Sequence, residues 1–302
     1  MNYVFFGTPE FAAIVLEKLI AAGFVPAAVV CNPDRPVGRK KVITAPAVKS
    51  RITYHVSRIK ENIEILQPEK LDSGFKLQVS GYKPDLFIVA SYAKIIPTDI
   101  LGIPRLGAIG VHPSLLPKYR GASPIQSAIL NGEEESGVTL YLMDEKVDHG
   151  PVIANAKCKN QNEQWGYAEL QKILAELGGG LLVETLPKFL AGEITPREQN
   201  HSEATFTKKF TTEDGFVPKD ELVRALAGDA RLSRTIYRSI LALHPEPGVW
   251  TYGKNQNGKI KMENGKRIKI LKAHLERTVL VLDEIQVEGK NPMLAKDLNF
   301  LQ

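Results

Sequence analysis

Cysteine is nearly missing from this chain: Cys31 and Cys158 are the only two among 302 residues. Two thiols so far apart form no disulfide framework, and their spacing suits no common metal site. Long apolar runs are missing too, none approaching the roughly 18 residues a membrane span requires. No basic segment precedes the apolar part of MNYVFFGTPEF, which reads as the first strand of the fold and not as a signal peptide. The chain also lacks a GxGxxG fingerprint. Gly7-Thr8-Pro9 follows the first strand, but neither it nor Gly38 completes a phosphate loop, so a dinucleotide cofactor has little support. Internal repeats and low-complexity tracts are likewise lacking. The expectation these absences leave is a cytoplasmic, metal-free protein with no membrane attachment, working as a monomer.

What is present is an ordinary globular composition with an uneven charge. From Thr205 to Gln302 the chain has 17 Lys/Arg against 12 Asp/Glu, which accounts for the whole net charge of +5. Eight of those basic residues fall between Lys254 and Arg277. A focused positive patch draws in a polyanion such as nucleic acid. Charge alone is also consistent with a solvated, slightly basic surface.

Hydrophobic patterning divides the chain into two styles. Strands are expected over 3–6, 25–30, 63–66, 86–90, 108–112, 137–143 and 152–157, with helices over 11–22, 124–130 and 167–190. Thr8 is placed to cap the first helix, with Pro9 in its first turn. Gly178-Gly179-Gly180 is a possible break in the last helix, because three adjacent glycines are costly there. This order describes an α/β protein with an open, mostly parallel Rossmann-like sheet. Its active crevice should lie beyond the carboxyl ends of the strands. After a polar stretch, helices over 218–227 and 231–243 precede short strands over 249–252, 259–262, 267–273 and 279–287. Asn257-Gly258 and Asn264-Gly265 are hairpin-type turns between them. Such strands fit a small β-barrel of the oligonucleotide-binding kind, or another small all-β module.

Two loops hold the residues suited to chemistry. Val111-His112-Pro113-Ser114-Leu115-Leu116-Pro117-Lys118-Tyr119-Arg120-Gly121 leaves a buried strand with His112 at its carboxyl end. An isolated histidine there would read as a satisfied core residue. A rigid loop carrying Ser114, Lys118 and Arg120 favours a binding or proton-exchanging role. The second loop, Met143 to Val152, presents Asp148, which can orient His112 and accept a proton, or can simply bond backbone N–H groups in a polar turn. Asp34-Arg35-Pro36-Val37-Gly38-Arg39-Lys40-Lys41 is a basic, turn-rich insertion, either a flexible loop or a contact to a phosphate backbone.

The segments FFGTPEFA, NPDRPVGRKK, KPDLFIVASYAKIIP, HPSLLPKYRGASPIQ, SGVTLYLMD, VDHG, HSEATFTKKF and HPEPGVWT together resemble the methionyl-tRNA formyltransferase family over essentially the whole chain. The resemblance implies a catalytic domain over 1–190, a linker over 191–206 and a β-barrel-like, OB-like tRNA-binding domain over 207–302. It implies formyl transfer from 10-formyltetrahydrofolate to the amino group of methionyl-initiator tRNA, by direct attack through a tetrahedral intermediate. The folate would lie against Phe87, Ile88, Val89, Ala90, Tyr92, Ser114, Leu115, Leu116 and Pro117. The tRNA would meet Arg39, Lys40 and Lys41, and in the tail Lys266, Arg267, Lys269 and Lys272. Of the family's catalytic asparagine, histidine and aspartate, the last two match His112 and Asp148, 36 positions apart. The asparagine's place is held by Gly110. A water or another amide could fill the space left, the enzyme could depend mainly on His112, or its chemistry could be weakened or changed. Related activities, formyl transfer to a nucleotide-linked amino sugar or hydrolysis of formyl-folate, share the same core, and an RNA-binding relative without catalysis would keep the scaffold.

Overall fold

The computed structural model describes residues 1–38, 40–59, 63–160, 165–253 and 266–297. They form two compact units, the first made of Met1–Gly121, Glu135–Lys159 and Leu170–Thr207, the second of Ala122–Glu134, Asn160–Glu169 and the chain from Lys208 onward.

In chain order the first unit contains β1 (Tyr3–Gly7), α1 (Glu10–Ala21), β2 (Ala28–Val30), β3 (Arg35–Val37), β4 (Val42–Thr44), α2 (Ala47–Ile59), β5 (Glu64–Leu66), α3 (Ser73–Gly81), β6 (Leu86–Ala90), α4 (Thr98–Leu101), β7 (Ala108–His112) and β8 (Arg120–Gly121). After α5 (Pro124–Asn131), which belongs to the second unit, come β9 (Glu135–Leu142), β10 (Val152–Lys159), α6 (Tyr167–Leu190) and β11 (Phe206–Thr207). Seven strands make one sheet in the order β10-β9-β7-β6-β1-β2-β5. The five strands from β7 to β5 run parallel, and β9 and β10 are antiparallel additions at one edge. From β1 the chain first builds outward through β2 and β5, then returns to build through β6 and β7. That reversal puts a ligand crevice at the carboxyl ends of β1 and β6. The central strands are apolar along their whole length because helices cover both faces. Phe6 and Phe87 meet edge to face at 4.9 Å in this core.

Several sequence expectations are corrected by packing. Thr8 does not cap α1; the cap position is Pro9, with no side-chain bond, and Thr8 Oγ1 instead accepts from Asn32 N at 3.2 Å. α6 runs unbroken through its three glycines. A Cβ on Gly178 would lie 3.0 Å from Val111 Cγ1, and one on Gly179 would lie 2.7 Å from Lys18 Cβ. These two glycines let the helix approach the sheet and α1, and that packing offsets their poor helix propensity. The insertion between β2 and α2 is a β3–β4 hairpin, antiparallel from Arg35↔Thr44 to Val37↔Val42. The polar stretch after α6 is also ordered: Arg197 pairs with Val152, and β11 runs parallel to β8.

The second unit adds α7 (Lys219–Leu226), α8 (Ala230–Leu243), β12 (Val249–Tyr252), β13 (Arg267–Glu276), β14 (Val279–Val287) and β15 (Met293–Leu294). The four strands form an antiparallel sheet in sequence order. Among the described residues β12 and β15 are not paired with each other, so the expected small all-β module is present as a four-stranded antiparallel sheet. The strand expected over 259–262 and the two Asn-Gly turns lie outside the described residues. Asp229 caps α8 by accepting from Leu232 N. Buried Ser233 joins three elements, donating to Ala225 O and accepting from Leu280 N.

The glycine tract gives a direct stability test. Gly179→Ala should destabilise the chain by about 1–3 kcal/mol through overpacking. Gly180→Ala, where a Cβ meets nothing within 4 Å, should stabilise it by about 0.5–1 kcal/mol. Denaturant unfolding of the two variants checks both signs.

Candidate active site

β7 carries His112 to the carboxyl edge of the sheet, where the ring is 6% exposed. Its Nε2 lies 2.9 Å from the Tyr119 carbonyl oxygen. A carbonyl can only accept, so Nε2 bears a hydrogen and anchors the ring to the loop. The other nitrogen, Nδ1, faces Asp148 Oδ2 at 3.5 Å. The pair expected from two distant loops therefore converges at one sheet edge, entirely within the first unit.

Asp148 sits between β9 and β10 in the left-handed region, at φ 49°. A side chain pays steric strain there, of the kind that clusters at functional sites. Its Oδ2 accepts from Gly121 N at 2.7 Å, and its Oδ1 accepts from Tyr141 Oη at 2.7 Å. Gly121 itself has φ 106°, and a Cβ there would lie 2.7 Å from Thr207 O, so only glycine brings this N–H to the carboxylate.

The HPSLLPKYRG loop is pinned at several points. Buried Thr139 Oγ1 donates to Ser114 O at 2.7 Å and accepts from Leu116 N at 3.0 Å. Ser114 Oγ donates to Lys118 O at 2.6 Å. The 199–205 segment holds the loop's far end: Tyr119 N donates to Thr205 Oγ1, and Arg120 N to Thr205 O. The buried Arg120 guanidinium donates to Gln199 Oε1 at 2.6 Å and to His201 Nδ1 at 2.9 Å. Gln199 Nε2 in turn donates to the Asp148 and Gly150 carbonyls. His201 stacks on His149 at 4.1 Å, and His149 Nδ1 pairs with Asp144 Oδ2 at 2.7 Å. The sequence reading left Gln199 and Thr139 unnoticed, because neither residue type nor spacing marks a side chain that supports a loop far away in the chain.

The remaining residues named from sequence are placed as follows. Phe87, Ile88 and Ala90, in β6, are wholly buried and Val89 nearly so. Tyr92 follows β6, its ring 5.5 Å from that of Phe6. Leu115, Leu116 and Pro117 are half-buried in the loop. Two buried polar atoms at this edge, Asn32 Oδ1 and Tyr92 Oη, have no hydrogen-bond partner among the described residues. Burial holds the Tyr92 phenol up to about 12, with the Cys31 thiol adding to it. It is therefore a donor awaiting an acceptor. Lys40 and Lys41 are exposed on the β3–β4 hairpin beside exposed Val37, Val42 and Ile43; Arg39 lies outside the described residues. Lys266, just before β13, is exposed; on β13 Arg267 lies 4.0 Å over the Trp250 ring, and Lys269 is half-buried. Lys272 pairs with Glu284 at 2.9 Å, which raises its pKa.

The space beside Gly110 is occupied. A Cβ at that position would lie 2.5 Å from Tyr141 Cζ and 2.8 Å from its Oη. A phenol fills the volume, for which a water or another amide was one of three accounts left open. Among the described residues, no group of three or more His, Cys, Asp or Glu side chains is arranged to hold a metal ion, and no helix is long and apolar enough to cross a membrane.

An open sheet with an imidazole and a carboxylate at its carboxyl edge serves many enzyme classes, and comparison with known proteins gives the family. A family model described as "Formyl transferase" matches residues 1–186. The methionyl-tRNA formyltransferase of Halalkalibacterium halodurans is 36% identical over 98% of this chain and 93% of its own length. That of Bacillus subtilis is 34% identical over 97% of this chain and 92% of its own. Among solved structures, methionyl-tRNA formyltransferase from Clostridium thermocellum matches with a TM-score of 0.58 at 17% identity, covering 95% of this chain and 98% of that one. HypX from Aquifex aeolicus in complex with tetrahydrofolic acid matches with a TM-score of 0.62 at 16% identity, covering 98% of this chain and 46% of that one. Those two share the fold. The chain belongs to the methionyl-tRNA formyltransferase family.

The double role of Thr139 gives a test of how the loop is held. Thr139→Val keeps the shape but strands Leu116 N, and should lower the unfolding free energy by about 1–3 kcal/mol in a denaturant titration.

Proposed function

We propose that this chain transfers the formyl group of 10-formyltetrahydrofolate to the amino group of methionyl-initiator tRNA. The observation that carries the reading is the approach of His112 Nδ1 to Asp148 Oδ2, at 3.5 Å on the carboxyl edge of the sheet. When bound, the folate supplies an activated formyl carbon. The unpartnered Tyr92 Oη and Asn32 Oδ1, one a donor and the other an acceptor, fit a polar heterocycle seated at the ends of β2 and β6. The loop residues Ser114 to Pro117 flank the same edge, with Phe87 to Ala90 beneath.

The chemistry asked of the protein is modest. As the amine adds, negative charge collects on the formyl oxygen and the nitrogen must lose a proton. His112, anchored through Nε2 to Tyr119 O, donates to that oxygen from its Nδ1 edge beside Asp148 when the ring carries its second proton there, as an imidazolium. Asp148 already accepts two hydrogen bonds, and a carboxylate has capacity for more, so it can hold the imidazole, take up the proton that the attacking amine loses, and return it to the nitrogen that leaves as the carrier's bond to the formyl carbon breaks. The transfer is direct, with no covalent bond to the enzyme.

Recognition of tRNA is supported by the relatives' full-length match and by the basic tail. Lys40 and Lys41 on the hairpin, with Lys266, Arg267 and Lys269 on the tail, are the contacts proposed for its phosphates; Lys272, shared with Glu284, contributes less. This support favours the amine of an aminoacylated tRNA over a nucleotide-linked amino sugar as the formyl acceptor. Arg39 belongs to the same proposed surface.

Two outcomes test the reading. His112→Ala should lower kcat about 10²–10³-fold while leaving folate affinity nearly unchanged, measured with saturating charged tRNA. Near-parental turnover would refute the role given to the imidazole. Binding of initiator tRNA should weaken steeply with added salt, and Lys40→Ala with Lys41→Ala should flatten that slope by roughly two. A salt-independent affinity would exclude the phosphate contacts.

A further inference from the structure

We propose that Tyr141 is a positioning residue for the His112–Asp148 pair, and that Gly110 is a glycine so that this phenol can reach Asp148. The inference rests on the formyl-transfer reading and goes beyond it by assigning a role to a residue that neither the motifs nor the family resemblance singles out.

The case starts from strand register. β7 and β9 are antiparallel, with Gly110 directly opposite Tyr141 and His112 opposite Thr139. Opposed residues in such a pair point to one face of the sheet, and so do positions two apart along a strand. Gly110, His112, Thr139 and Tyr141 therefore share a face, and all four are buried. Glycine in the interior of a strand paired on both sides is a poor choice unless something approaches closely. Here the distal half of the Tyr141 ring does so, within 2.5 Å of where a Cβ would stand. A side chain at 110 would force the Tyr141 ring out of its present place.

The hydroxyl is what separates this role from simple filling. A phenylalanine would occupy the same volume. The Tyr141 ring is 3% exposed, and its Oη donates to Asp148 Oδ1 at 2.7 Å. Burial first, then the charge and hydrogen bond of Asp148, hold the phenol well above its ordinary pKa, so it remains a donor. Asp148 is thus held from two sides, by the Gly121 N–H on Oδ2 and the Tyr141 hydroxyl on Oδ1. With its backbone also confined at φ 49°, the carboxylate has little freedom to turn away from Nδ1. Thr139, on the same face and opposite His112, holds the loop that carries the imidazole's anchor. One face of β9 therefore supports both partners of the pair.

The test uses the full-length chain, 10-formyltetrahydrofolate and charged initiator tRNA. Tyr141→Phe should lower kcat about tenfold or more, with both KM values and the thermal unfolding midpoint near those of the parent. Combined with Asp148→Asn it should add little further loss, because the two groups act as one unit. Gly110→Asn alone should abolish most activity. Paired with Tyr141→Leu, which removes the obstructing half of the ring, Gly110→Asn should recover at least tenfold over Tyr141→Leu alone. Parental kcat in Tyr141→Phe, or parental activity in Gly110→Asn alone, would overturn the positioning role while leaving formyl transfer standing. A parent chain that transfers no formyl group to the tRNA would instead overturn the functional reading and this inference with it.

Discussion

The carboxylate of Asp148 is the point on which the site depends. It lies in a loop and in a backbone conformation that most residues avoid, yet it must face an imidazole delivered by a different strand. Its side chain is held by a backbone N–H and a phenol, and its own carbonyl is held by Gln199. Each of these donors belongs to a different stretch of chain. The edge strands β9 and β10, antiparallel additions to a parallel sheet, exist in part to suspend that loop beside the end of β7. A carboxylate on a free loop would turn toward water, where its charge is best solvated. Here fixed donors substitute for that water at the cost of local strain.

Close approach is the second theme, and glycine is its instrument. Gly178 and Gly179 bring α6 onto the sheet and α1, Gly110 admits a tyrosine ring, and Gly121 admits Thr207. In each case a residue that weakens its own helix or strand permits a contact between elements far apart in sequence. Local preference and tertiary packing disagree at these positions, and packing prevails.

The parallel sheet was legible in the sequence because buried strands such as 86–90 and 108–112 read as continuous apolar runs. His112 and Asp148 were legible through their loops and the family resemblance, although spacing alone could not show that they meet. Other features were not legible, for identifiable reasons. The three glycines of α6 read as a break, since nothing local reveals the side chains of Val111 and Lys18 above them. The 35–44 insertion read as a loop because its two strands are three residues each and lie around a basic turn. Tyr141 read as an ordinary apolar strand residue. Only the register that sets it opposite Gly110 exposes the connection, and register is a property of the folded sheet. The alternating strands of the tail read as a small all-β module, and the choice of a barrel came only from the family resemblance, because alternation specifies an antiparallel sheet and leaves its edges undefined.

The buried Arg120 has a consequence for where this protein can be divided. Its guanidinium is neutralised by no carboxylate among the described residues; it is satisfied by Gln199 and His201, which follow α6. A shortened form ending at α6 would retain the apolar core but leave a cation stranded in the interior, with β8 stripped of its companion strand. The segment through Thr207 therefore belongs with the first unit, and a truncation chosen at the last turn of the long helix would discard the lock on the His112 loop.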